Sequence, residues 1–162
     1  MGIDVWNEFD LILRLLAGTA AGVIVGWERT IKQSMAGIRT FGLVGLGTAT
    51  AAAVFAGPDQ VDAASRVIQG VLTGIGFLGA GVISLAKEER TPRGLTTAAA
   101  VWVTAALGCA AGLGDWPIVL TGTAVAILLL AVNHSVERWA GRPRDRTDKV
   151  ESGSGSATSL DP

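Results

Sequence analysis

Five apolar segments, joined by connections that alternate between basic and non-basic, constrain this chain more than any other feature. The segments run approximately over 11–27, 40–55, 67–86, 95–113 and 117–132. From Val67 to Ala86 there is no charged residue, and twenty residues of helix cross a bilayer core of about 30 Å. In lipid every backbone N–H and C=O needs a partner within the protein, so segments of this kind are expected to be helices. Lys and Arg are absent before Arg14. The first connection carries Arg29, Lys32 and Arg39, and the third carries Lys87, Arg90 and Arg93. The second holds Asp59 and Asp62 with Arg66 only at its far end, and the fourth, Gly114-Asp115-Trp116, has no positive charge. The tail adds Arg138, Arg142, Arg144, Arg146 and Lys149. The positive-inside rule puts connections one and three and the tail in the cytoplasm, with the N-terminus outside. The expectation is an all-α membrane protein with five transmembrane helices over 1–139 and a polar, disordered cytoplasmic tail over 140–162. The N-terminus begins with Asp4, Glu8 and Asp10 rather than basic residues, so it reads as a retained first helix and not a cleaved signal.

One stretch invites a different reading. Residues 74–79, GIGFLG, satisfy the G-x-G-x-x-G fingerprint of phosphate-cradling loops. That fingerprint has meaning only between a strand and a helix. Here no turn signal interrupts the flanks, and the glycines fall inside an uncharged span. Composition agrees with a membrane bundle: the chain has 22 glycines, 49% hydrophobic residues and only 17% charged ones. The net charge of −1 gives no reason to expect nucleic acid. A single cysteine, Cys109, excludes an internal disulfide framework and reads as a packing residue.

Small residues recur at spacing four: Gly18, Gly22 and Gly26, then Gly70 and Gly74, then Gly108 and Gly112. Such faces let helix backbones approach. Either they pack the bundle, or the run from Gly74 through Gly76 and Gly79 to Gly81 lines a thin-walled cavity or broken helix. Arg14 stands four residues after Asp10, on one helical face, as a pair near the outer surface. Trp6, Trp27, Trp116 and Trp139 fall at span ends, where amphipathic rings favour the interface; Trp102, inside the fourth span, is expected to pack against protein. His134 and Asn133 sit at the inner end of the fifth span, where an interfacial position is the plainer account.

The cytoplasmic mouth gathers Glu28, Arg29, Arg39, Lys87, Glu88, Glu89, Arg90 and Arg93. One reading is topology signalling by solvated charge. The other is a polar network that binds an anionic headgroup, a partner or a regulator. Glu28 and Arg39 end adjacent helices across a short loop, close enough to pair. Glu28-Arg29-Thr30 before the second span is echoed by Glu89-Arg90-Thr91 before the fourth, either as a parallel repeat or as chance similarity. No Asp or Glu lies in mid-span, and there is no Ser-His-Asp set, P-loop or metal-ligand cluster. No enzyme, cofactor or dedicated metal cage is therefore expected.

Gly26-Trp27-Glu28-Arg29, Ala36-Gly37-Ile38-Arg39-Thr40, the run from Gly74 to Gly81, and Gly94-Leu95-Thr96-Thr97-Ala98-Ala99 with Trp102 resemble, in order, the motifs of the MgtC/SapB family. The resemblance covers roughly 11–139. It implies a multi-pass bacterial inner-membrane protein with the orientation just read from charge. It further implies a link to magnesium homeostasis or to acid and low-magnesium stress, and to virulence in some members. Action on a membrane-protein partner such as the F-type ATP synthase is attributed to one branch, and magnesium transport to others. The candidate polar network of the mouth is Glu28, Arg29, Arg39, Thr40, Arg90 and Arg93, and the motif glycines and threonines are Gly74, Gly76, Gly79, Gly81, Gly94, Thr96 and Thr97. Longer members continue into a cytoplasmic ACT-like domain, whereas this chain resembles the short SapB-type members. The leading expectation is a bilayer protein that binds or regulates another membrane component. The alternative is a small homo-oligomeric transporter or channel for magnesium or another ion.

Overall fold

The structure is a computed structural model that describes residues 5–85 and 92–139. Five helices form the described part: α1 (Val5–Ile31), α2 (Ile38–Ala53), α3 (Val61–Val82), α4 (Leu95–Leu113) and α5 (Trp116–Trp139). The helices within 7–31, 58–82 and 95–113 are long and apolar enough to cross a membrane. α2 has 16 residues and spans about 24 Å, short of a bilayer core. The apolar run of α5, Trp116–Ala131, is of similar length.

The centre of the bundle is α1, α2 and α4, and it is held by backbone contact. Added at Gly22, a Cβ would fall on the Phe41 carbonyl; at Gly45 it would fall on the Gly18 carbonyl. Added at Gly108 it would fall on the Thr48 hydroxyl, and at Gly112 on the Ala49 carbonyl. These pairings run α1 antiparallel to α2, and α2 parallel to α4. The small residues spaced by four on α1 and α4 thus pack the bundle, as one of the two sequence readings holds. Val25, Phe41, Val101 and Ala105 fill the space between, all at 1% exposure or less. Cys109 is also buried.

α3 stands at the edge. Only Ala64, Ile75 and Gly79 are buried, the last against Ala98 of α4. Gly70, Gly74, Gly76 and Gly81 meet nothing within 4 Å. The expectation that Gly74 sits at a helix contact, as Gly22 does, is corrected on this point. The α3 residues that touch α4 lie one turn apart on the other side of the helix, through Ile75 and Gly79. Trp102 is also corrected: it is 47% exposed. α4 is buried by α1 and α2 on one side only, and position 102 points away from them.

α3 ends before Ala86. Ile83 is extended, and Ser84–Leu85 pairs antiparallel with Pro92–Arg93, a two-residue ladder that the apolar pattern does not reveal. The return is tight at Gly94, whose φ is +92° and whose Cβ, if present, would meet the Val82 carbonyl. Only glycine takes that conformation without strain. Residues 86–91, including Arg90, and the tail over 140–162 lie outside the described residues, as does the half of the proposed repeat that contains Glu89.

Candidate functional site

The polar residues collect at the two ends of the bundle. At one end α1 finishes at Ile31 and the chain turns back into α2 within six residues. Thr30 organises this turn. Its hydroxyl donates to the Gly26 carbonyl at 2.8 Å and accepts from the Ile38 N–H at 3.0 Å. Ile38 opens α2, so Thr30 supplies the capping oxygen that Gly37 lacks. A side chain at Gly37 would meet the Thr30 hydroxyl oxygen at 2.8 Å, so the turn needs glycine there. Gln33, at φ +50°, completes the reversal. Ser34 hydrogen-bonds the Arg29 carbonyl at 2.7 Å and satisfies a free group of the last turn of α1.

Within this frame Glu28 accepts from Arg29 twice, from Nε at 2.5 Å and from Nη2 at 3.0 Å. Its other ion pair is with Lys32, Nζ to Oε1 at 2.5 Å. Lys32 also donates to the Leu130 carbonyl of α5 at 2.7 Å. Arg29 is buried, at 6% exposure. A buried guanidinium is tolerated only with its charge matched, and the carboxylate of the preceding residue does this. Both cations also lie at the C-terminal end of α1, where the helix dipole favours positive charge.

The sequence offers Arg39 and Arg29 as partners for Glu28. Arg29 takes the role; Arg39 is exposed and makes no ion pair with any described residue. The six-residue turn sets Arg39 on the outer side of α2, one residue past the contact with Thr30. Lys32 joins the network instead. Its signal was available, since Glu28 and Lys32 stand four apart in the order that favours pairing. Thr30 and Ser34 carry no sequence signal for these roles, because a hydroxyl that caps a helix eight residues away has no local spacing rule. Thr40 is exposed in the first turn of α2. Arg93 lies in the ladder, opposite Ser84. Of the remaining motif residues, Thr97 is buried, Thr96 is exposed, Gly94 makes the turn before α4, Gly79 meets Ala98, and Gly74, Gly76 and Gly81 face outward.

The chemistry of this end follows from its charge. Glu28 is saturated by two cations, so to ligate a metal ion it would have to release both. Glu28, Arg29, Lys32 and Arg39 together carry a net +2. Such a surface suits an anionic or acidic partner. Among the described residues no three His, Cys, Asp or Glu side chains come together.

The opposite end holds Arg14. It pairs with Asp10 at 2.7 Å, as the spacing suggests, and also donates to the Gly112 carbonyl at 3.2 Å. Arg14 thereby binds a free carbonyl at the end of α4, beside Gly114, which closes that helix at φ +81°. Asn7, Asp10 and Arg14 edge a polar recess of about 410 Å³ that reaches Gly57 and Pro58. Between the two ends the recesses are apolar. One is a groove of about 340 Å³ between α4 and α5, lined by Val103, Val125, Ala126 and Leu129. In the core, Thr48 is bonded to its own helix and the Thr104 hydroxyl has no hydrogen-bond partner.

A model of the MgtC family matches residues 15–139. Protein SrpB of Synechococcus elongatus is 40% identical over 146 residues, covering 80% of this chain and 78% of SrpB. Protein MgtC of Salmonella typhimurium is 42% identical over 137 residues, covering 83% of this chain and 55% of MgtC. YhiD of Escherichia coli K12, whose name proposes magnesium transport, is 36% identical over 135 residues, covering 78% of this chain and 62% of YhiD. The chain thus spans only about half the length of the MgtC protein it matches. No solved structure matches it.

Proposed function

The chain belongs to the MgtC family, a membrane-protein family linked to magnesium, and from that premise we propose that it acts by binding or regulating another membrane component through the end formed by Glu28, Arg29, Lys32 and Arg39. The observation that carries this reading is the charge state of that end. Its one described carboxylate is consumed by Arg29 and Lys32, while Arg39 projects free of any described acid. The turn therefore offers to an anionic group a guanidinium that no described acid engages. The partner is a membrane protein or lipid with acidic groups at the same depth; the F-type ATP synthase enters only by family analogy. On this reading the protein is multi-pass in the bacterial inner membrane, and this end is cytoplasmic, since Lys and Arg concentrate there. It performs no catalysis.

The alternative is ion transport, which the name of YhiD supports. The close backbone packing of α1, α2 and α4 and the apolar mid-bundle recesses weigh against a path through a single copy. Growth in low magnesium separates the readings. In a strain lacking its own family member, the Arg39→Glu chain should accumulate normally, because Arg39 is exposed, yet fail to restore growth. Arg39→Lys should restore part of it. Full rescue by Arg39→Glu, together with magnesium flux into vesicles that hold only the purified protein, would overturn the binding reading in favour of transport.

A further inference from the structure

α3 carries a face that no other described part of the chain covers, with two charges at its outer end and an amide within the span. Its buried residues are Ala64, Ile75 and Gly79, and through Ile75 and Gly79 it packs on α4. At 100° per residue the opposite side carries Asp62, Arg66, Gln69, Thr73 and Phe77, all exposed. The outward faces of α1 and α5 are mainly large and apolar, with Asn7 and Glu8 at the end of α1 and Thr121 on α5 among their exposed polar residues. α5 presents Ile118, Leu120, Leu128 and Leu129, and α1 presents Phe9, Leu13 and Leu16, large apolar side chains that suit acyl tails. On α3 a line of polar groups runs instead through a helix long and apolar enough to cross a membrane. The Thr73 hydroxyl is satisfied by the Gln69 carbonyl. Asp62 and Arg66, one turn apart, form no ion pair among the described residues. Gln69 lies inside the uncharged span, where a polar side chain turned to hydrocarbon is expensive and pairs with protein where it can, while Asp62 and Arg66 stand at the outer end of the helix.

We propose that this face is the contact with a second copy of the chain. Two copies in one membrane share an orientation, so a two-fold axis between them runs along the membrane normal and brings together residues of like depth. The pattern on α3 is self-complementary under that axis. Asp62 and Arg66 differ in height by about 6 Å, within the reach of an arginine side chain. Each Asp62 then meets the Arg66 of the other copy, which makes two ion pairs from one contact. Gln69 meets its own counterpart, and an amide both donates and accepts. Gly70 and Gly74 border the line with open space where side chains would begin, so the second helix can come close. This contact is independent of the cytoplasmic-end reading and involves none of its residues.

Disulfide trapping in native membranes tests it. In a Cys109→Ala background, which removes the single native thiol, Gln69→Cys is oxidised and the product identified by mass. Leu128→Cys, on the outward face of α5, is the control. The expected result is a covalent homodimer at position 69 and none at 128. Asp62→Arg added to Gln69→Cys should abolish the dimer, and Asp62→Arg with Arg66→Asp should restore it. Absence of the dimer at 69 in protein whose cysteine reacts with a maleimide would overturn the proposal. So would equal trapping at 128, a product joined to a different protein, or a dimer indifferent to Asp62→Arg.

Discussion

Gly22 on α1 and Gly74 on α3 stand in similar sequence, each with a second glycine four residues earlier and an apolar span around it. A methyl group at 22 would land on the Phe41 carbonyl, whereas one at 74 would meet nothing. The same residue type therefore serves two ends. In α1, α2 and α4 it removes side chains so that backbones touch, and dispersion between closely packed atoms replaces the bulk that larger residues would supply. On α3 it leaves a helix face thin and open, which is useful only if something outside the single chain is to approach. Spacing reports that a face is small. It does not report whether that face is occupied.

The comparison can be broken most directly at Gly22. Gly22→Leu should cost more than about 3 kcal/mol through overpacking against backbone that cannot move aside. The expected readout is loss of monodisperse protein after detergent extraction, and normal recovery would show that α1 and α2 do not pack as described. Glu28→Gln comes next, at about 2–3 kcal/mol, because it strands the buried Arg29 without its charge partner. A thermal stability scan in detergent should show the loss, and Arg29→Met added to Glu28→Gln should recover much of it by removing the stranded charge. Thr30→Val should cost about 1 kcal/mol, the value of a lost helix cap, since the Ile38 N–H then has no acceptor. Hydrogen exchange at the start of α2 would register it, with faster exchange confined to the first turn. Gly74→Ala should have the smallest effect, and of opposite sign: up to about 1 kcal/mol of stabilisation from helix propensity, with no clash to offset it. A marked loss of heat stability at 74 in protein held as a monomer would erase the distinction between the two faces.

Several features could be read from the chain before any fold was known. Long uncharged segments and the bunching of Lys and Arg indicated helices in a membrane, because unpaired backbone and charge are both costly in hydrocarbon. The ordered motifs indicated the family. The Asp10–Arg14 pair followed from a spacing of four. The network around Glu28 was half legible: its location at the end of α1 and the Glu28–Lys32 spacing were there to read, but the exclusion of Arg39 was not. That exclusion depends on the exit angle set by Thr30, Gly37 and the left-handed Gln33, and so on contacts between residues eight apart. The ladder between Ser84–Leu85 and Pro92–Arg93 had no sequence signal, since two residues are too few to show an alternation.

Sequence by itself determined that this chain is helical, suited to a membrane and a member of its family, since periodicity, charge spacing and motif order are properties of a string. Tertiary structure alone decided, among the described residues, which small faces are filled and which are bare, and which cations pair with Glu28. Those outcomes depend on how α1, α2 and α4 converge. Their convergence spends the glycines of the core and the charge of Glu28, and among the described residues it leaves Arg39 and the outer face of α3 uncovered.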